Sequence, residues 1–518
     1  MAFDYKRNWL VKTLIIDKLV GENTNHRHDV STSIKTISKD FFCLKKSFLF
    51  RLAILRLRSV TANGNSSFVS CLPKYQELIA SFQFSVASCL LLIAYYLLPI
   101  ASKAQNKEYA KQVIEKLCSD EYAGRGYVKD GDKKAARYIA ESFRKNRLGS
   151  PTIDYFQIFG FPVITFPGAT NLNIDAVGLE AGRDFIVNAG CPTIKGKFNI
   201  LYIDSATIDN NFAFETFLKK SLRRSFIVVT GIQNKKFVNA DRAESVLKNT
   251  IGAKGLIINK QDKFTWSVAT ERAKFPIIYI QKNAIKHTMI EMEIDIESVS
   301  VDHSTQNVIA SVKGKLYPDS FIVITAHYDH LGMFGEAMFP GANDNASGVA
   351  MMLDLMNHIA KNPLDYSVLF IAFAGEEAGL LGSYYYTQNA SIPLNKMAML
   401  LNLDLMATGD KGMTAVNATE FPTEFKLLQY LNEQGNYLPN VNSRGKAQNS
   451  DHYYFTEAGV KSFFFYLMGD YHFYHDIDDK ASAISLSKYN EAYQLIYDFT
   501  VAYIQQSIAN STKQKEQE

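Results

Sequence analysis

Seven side chains in the second half of the sequence could bind cations or move protons: His327, Asp329, Asp344, Glu376, Glu377, Asp404 and His475. His327 stands in Thr325-Ala326-His327-Tyr328-Asp329-His330. It offers a neutral imidazole, and Asp329 could accept its other N–H and fix the tautomer. A His-x-Asp alone is more often a surface or core histidine. Asp344 lies in Pro340-Gly341-Ala342-Asn343-Asp344-Asn345-Ala346-Ser347-Gly348, a turn-rich run leading into a helix. Its two carboxylate oxygens can bridge two cations. Asp344 or Asn345 would equally serve as a helix N-cap, and both roles can coexist. Glu376 and Glu377 follow an apolar strand directly, and such a pair is costly to pack unless a cation offsets it. Adjacent side chains diverge, so Glu377 is assigned as ligand and Glu376 as base; in isolation the pair would read as an exposed acidic turn. Asp404 closes Asn402-Leu403-Asp404, and His475 opens His475-Asp476-Ile477-Asp478-Asp479. His327, Asp344, Glu377, Asp404 and His475 together form the mixed N/O donor set that zinc accepts. Two ions sharing one aspartate would each keep a position open for water or substrate.

The elements that must position these groups alternate. Apolar strands are expected at 321–326, 367–374, 397–403 and 462–467, with an amphipathic helix at 347–359 and another beginning within 379–387. That order predicts an α/β sheet with helices on its faces. Each candidate group falls just past the C-terminal end of a strand, or in the loop after it, where open α/β sheets place their ligands. Upstream, 106–147 has helical spacing interrupted by a turn at Tyr122-Ala123-Gly124-Arg125-Gly126. Residues 154–311 change to short β-rich runs, among them 198–203, 226–230, 255–259 and 275–280.

Bulk properties set the boundaries. The chain has 518 residues, enough for two or three domains, and its 47% hydrophobic and 21% charged residues are ordinary for globular proteins. The net charge of +4 divides into +8 for residues 1–104 and −4 for the rest, so nothing in the body calls for nucleic acid. The five cysteines (Cys43, Cys71, Cys89, Cys118, Cys191) form no CxxC pair, which argues against a thiolate zinc site. Cys118 and Cys191 read equally as one disulfide or two buried thiols. Residues 84–101 are apolar and uncharged, and small residues at 102 and 104 fit signal-peptidase cleavage after Ala104. The chain is therefore expected to be exported, periplasmic or extracellular. If residues 84–101 stay uncleaved, they are long enough to anchor it in a membrane. Residues 1–73 form a basic extension, which translation starting near residues 72–74 would remove.

The ordered tracts His-x-Asp, Gly-Ala-Asn-Asp-Asn-Ala-Ser-Gly, Gly-Glu-Glu, Asn-Leu-Asp, Ser-Asp-His and Tyr-His resemble the di-zinc aminopeptidases of metallopeptidase family twenty-eight. The resemblance implies a mixed central sheet flanked by helices, of the zinc-peptidase/phosphorylase kind. It implies two Zn2+ per chain, one on His327, Asp344 and Asp404 and one on Asp344, Glu377 and His475. It further implies Glu376 as catalytic base, Asp329 as orienting residue, structural support from Ser450-Asp451-His452, and peptide substrates with a free N-terminus. Residues 251–258 and 275–280 resemble a protease-associated domain, to which the resemblance assigns no chemistry. The expected organisation is 74–104 signal peptide or anchor, 105–155 first part of the peptidase domain, 156–300 β-rich insert, 301–511 main peptidase domain, and 512–518 polar tail. Among rivals, a glutaminyl cyclase uses one zinc, and the intact His327 and Asp329 argue against it. A carboxypeptidase-type relative needs cations for a substrate carboxylate; Arg444 and Lys446 could supply them, though they also read as a solvated loop. A non-enzymatic receptor on this scaffold loses ligands, and none is missing. Phe334, Phe339, Tyr471 and Phe473 flank the ligand loops, either lining an apolar pocket or simply packing.

Overall fold

Tyr366–Phe373 is buried along its whole length. Val368, Phe370 and Ala372 enter one core, while Leu369, Ile371 and Phe373 enter a second on the other side. Ile322 and Ile324 divide from Phe321 and Val323 in the same way. Strand side chains point alternately to opposite faces, so a continuous apolar run is what a strand covered on both sides requires. Each fully buried Leu, Ile or Phe contributes about 1.5–3 kcal/mol. This is the centre of an eight-stranded mixed sheet in a computed structural model that describes residues 107–230, 238–284 and 289–517. The extension 1–73, the apolar run 84–101 and the cleavage position lie outside the described residues. Among the described residues no helix is long and apolar enough to cross a membrane.

The sheet order is Phe156–Thr165, Val299–Val312, Tyr366–Phe373, Tyr317–His327, Met397–Leu403, Ser462–Met468, Gly412–Val416, Val441–Arg444. Tyr317–His327 pairs in parallel with both neighbours, and Met397–Leu403 pairs in parallel with Ser462–Met468. The carboxyl ends of four strands thus converge where the connections diverge, the position at which such sheets bind ligands. Helices 107–117, Gly131–Lys145, Ser347–Lys361 and Tyr489–Gln517 contribute to the core on one face. The fold is mixed α/β, as expected. The expected tail at 512–518 instead continues the last helix through Gln517; the stretch is rich in Lys, Gln and Glu, which propagate helices well.

A second eight-stranded sheet spans Thr170–Ile296. Its central strands Ile194–Asp204, Ser225–Thr230, Gly255–Lys260 and Ile277–Gln281 are parallel. The expected insert start of 156 needs correction, while the end near 300 lies close to the last insert strand, Glu291–Ile296. Phe156–Thr165 and Val299–Val312 pair with each other along ten residues, and the latter joins the main sheet through Tyr366–Phe373. Their β character marks a two-stranded neck rather than the insert itself.

Candidate metal centre

His327 ends its strand and is 1% exposed. Its Nε2 lies 3.2 Å from Asp344 Oδ1 and 3.5 Å from Asp404 Oδ1. His475 Nε2 lies 3.1 Å from Asp344 Oδ2 and 3.2 Å from Glu377 Oε2. The two oxygens of Asp344 therefore face different imidazoles. Donor atoms held about 2.0–2.1 Å from a tetrahedral zinc stand about 3.3 Å apart. The four separations, 3.1 to 3.5 Å, match that spacing. Asp404 Oδ1 is buried with no hydrogen-bond partner, while Oδ2 accepts from the Ser450 hydroxyl at 3.0 Å. An orphaned oxygen aimed at an imidazole nitrogen suits a cation. Two clusters of donors fall within reach of a single ion: His327, Glu376 and Asp404, and His330, Asp344 and Glu377. His330 was left without a role in the sequence. Its Nδ1 meets Glu377 Oε1 at 2.7 Å, a hydrogen-bond distance, which leaves Oε2 facing His475.

The loop that presents Asp344 is gripped from two sides. Arg125 is fully buried and donates to the carbonyls of Tyr328 at 2.8 Å, Pro340 at 2.6 Å, Gly341 at 2.7 Å and Asp344 at 3.3 Å. Asp479 accepts from the backbone N–H of Asn343 at 2.8 Å and of Asp344 at 3.1 Å. A cation takes the loop's acceptors and an anion its donors. Gly341 sits at φ 62°, and a Cβ there would stand 2.2 Å from the Asp344 carbonyl oxygen. The capping role falls to Asn345, whose Oδ1 accepts from Gly348 N at 2.9 Å, so Asp344 stays free for the centre. The sequence reading missed Arg125 and Asp479. Arg125 was visible only as part of a turn, and Asp479 only as one of three acids after His475.

Asp329 does not hold His327 through its side chain. The imidazole Nδ1 is 3.8 Å from the carboxylate but 3.2 Å from the Asp329 backbone carbonyl, which is the better acceptor. The carboxylate instead accepts from Tyr127 Oη at 2.7 Å and from the N–H groups of Glu376 and Glu377 at 3.2 and 3.3 Å. It fixes the Gly-Glu-Glu turn. Burial pushes its pKa up to about 6.

The electrostatics also call for cations. Burial holds the Glu376 carboxyl well above the usual range; His327 opposes this and Glu377, Asp451 and Asp404 add to it. Burial would raise Glu377 too, but His475 and His330 outweigh it and bring it down to about 2. Burial would lower His475, yet Glu377 and Asp344 push it up to about 11. Asp451, fully buried, is raised to about 7 by burial. Gathering so many carboxylates costs several kcal/mol per ion unless cations compensate.

Residues 307–500, which contain all of these groups except Arg125 and Tyr127, match the profile of peptidase family M28. The chain thus carries an M28 peptidase region. It is similar to aminopeptidase YwaD of Bacillus subtilis (strain 168), with 27% identity over 396 residues, covering 70% of this chain and 78% of that protein. A probable zinc metalloprotease of Pyricularia oryzae is 38% identical over 122 residues, 22% of this chain and 24% of that one. In fold the chain is similar to BSAP, a zinc aminopeptidase from Bacillus subtilis, with TM-score 0.58, 21% identity and coverage of 77% and 94% of the two chains. The aminopeptidase from Aneurinibacillus sp. strain AM-1 gives TM-score 0.53 and 23% identity, with coverage of 76% and 93%.

Around the centre, Phe334 and Phe339 are fully buried against Trp266 and are packing residues rather than pocket walls. Phe473 is 37% exposed and Tyr471 donates to Asp479. Tyr474 is half-exposed, and its ring stacks 3.9 Å from that of His475. Arg444 is exposed on a strand of the sheet, and Lys446 pairs with Glu457. Cys118 and Cys191 are both free thiols.

Proposed function

We propose that this M28 peptidase is a zinc aminopeptidase with two ions at this centre, one held by His327, Asp344 and Asp404, the other by Asp344, Glu377 and His475. The observation behind the reading is the pair of Asp344 oxygens turned toward two imidazoles, at 3.2 and 3.1 Å. Zinc bound there supplies Lewis acidity, which makes water a stronger acid and polarises a carbonyl. Glu376 would take the proton of the attacking water and return it to the departing amine, as general base and then acid. Asp329 keeps that carboxyl in place by accepting the N–H groups of Glu376 and Glu377. His330 holds one oxygen of Glu377 so that the other faces His475.

The anionic surroundings favour a substrate that brings its own cation, a free α-ammonium group. A carboxypeptidase would need a cation facing the substrate. Arg444 is exposed on its strand, Lys446 is paired, and Arg125 is spent on carbonyls. Export rests on residues 84–104 alone, and the protease-associated character of the insert rests on 251–258 and 275–280. Aminoacyl-nitroanilides and N-blocked peptides, assayed with and without chelator, test the reading. Cleavage should be confined to free amines, be lost to chelator and return with zinc. Release of residues from blocked peptides or from the C-terminus would overturn it.

A further inference from the structure

We infer that the inserted sheet sets the position of His475 through Trp266, and so governs how tightly one of the two ions is held. The inference rests on the two-ion reading above. Trp266 lies in the loop between the insert strands Gly255–Lys260 and Ile277–Gln281. Its carbonyl oxygen is 2.8 Å from His475 Nδ1, and its N–H donates to the His475 carbonyl at 3.1 Å. The first bond places the proton on Nδ1 and leaves Nε2 free toward Asp344 and Glu377. The second grips a residue at φ 56°, a left-handed conformation that a side-chain-bearing residue keeps only when its surroundings impose it. Lys263, from the same loop, donates to the Tyr474 carbonyl.

Trp266 is itself fixed. Its indole N–H donates to the Val187 carbonyl at 3.0 Å, and its ring stacks on Phe339 at 4.8 Å. Phe334, Phe339 and Leu331, from the segment that follows the His327 strand, share one core with the insert. Ile477, two residues beyond His475, packs against that core. The insert therefore acts as a brace for the His475 loop. By contrast, His327 takes its orienting carbonyl from Asp329, two positions away in its own segment.

Competition titration against a chromophoric chelator, on the full chain, reads each ion's affinity separately. Trp266→Ala should weaken one ion by about 10-fold or more, the usual effect of losing a ligand's orienting partner, and leave the other unchanged. Trp266→Phe keeps the ring on Phe339 but lacks the indole donor, and should show a smaller loss in the same ion. General destabilisation would lower the melting temperature without singling out one ion. Retention of both ions at wild-type affinity in every folded variant, or equal weakening of both, overturns the inference. If Trp266→Ala does not fold, the same criteria apply to Trp266→Phe. A wild type that binds a single ion overturns the two-ion reading and this inference with it; two ions in the wild type and unaffected variants overturn this inference alone.

Discussion

The two imidazoles of the centre are supported in opposite ways. His327 ends a strand paired on both sides, and its ring is oriented by a carbonyl two residues along the chain. His475 sits in a loop at positive φ, and its ring is oriented by Trp266, 209 residues away in the insert. One half of the centre is a product of the sheet; the other is assembled by tertiary contact. The two halves should therefore fail under different changes. Changes in the main sheet should act on the His327 half, changes in the insert on the His475 half, and only shared groups on both.

Asp344 is the shared group, so Asp344→Ala should have the largest effect. Elemental analysis should find both ions gone and activity abolished, because each imidazole loses the carboxylate oxygen opposite it. Retention of one ion at full occupancy would mean that the halves are independent. Arg125 is shared at one remove, since it binds the loop that carries Asp344. Arg125→Ala leaves several buried carbonyls without their donor, at a cost on the order of 3 kcal/mol or more. Chemical denaturation should register that loss, and both ions should bind more weakly. An unchanged unfolding midpoint would show that the loop holds without it. Glu376→Gln should separate chemistry from binding, keeping both ions and losing at least about 10² in kcat, a general base's usual contribution. Wild-type turnover in that variant would remove Glu376 from the role.

The same contrast explains what could be read in the sequence. The four central strands were legible because burial on both faces demands nearly continuous apolar runs, and Tyr366–Phe373 and Met397–Leu403 have them, each with a single polar residue, Ser367 and Asn402. His327, Glu376, Glu377 and Asp404 follow such runs directly, so their convergence could be expected from strand order. Asp344 was legible from its turn-rich loop. Arg125 was not, because its function is to satisfy backbone carbonyls more than 200 residues away, and carbonyls leave no mark in a sequence. Trp266 was hidden for the same reason, since it orients His475 through its backbone rather than its side chain. Phe156–Thr165 was assigned to the insert because it pairs only with Val299–Val312, and its local pattern does not say which sheet it joins.

Ser450→Ala is the smallest effect and the sharpest test of the comparison. Asn402 Nδ2 donates to Ser450 Oγ at 2.8 Å, and Ser450 donates to Asp404 Oδ2 at 3.0 Å. Thr325, two residues before His327, donates to Asn402 Oδ1 at 2.7 Å. This relay lies within the main sheet and its following loop, and it turns Asp404 so that Oδ1 faces His327. Removing the hydroxyl should therefore loosen the ion on the His327 side by about 10-fold, the lower end for a ligand's supporting partner, and spare the ion on the His475 side. Trp266→Ala is expected to do the reverse. The same chelator titration run on both variants should give mirror-image results. If both weaken the same ion, the two halves share one support and the division between sheet and insert is lost.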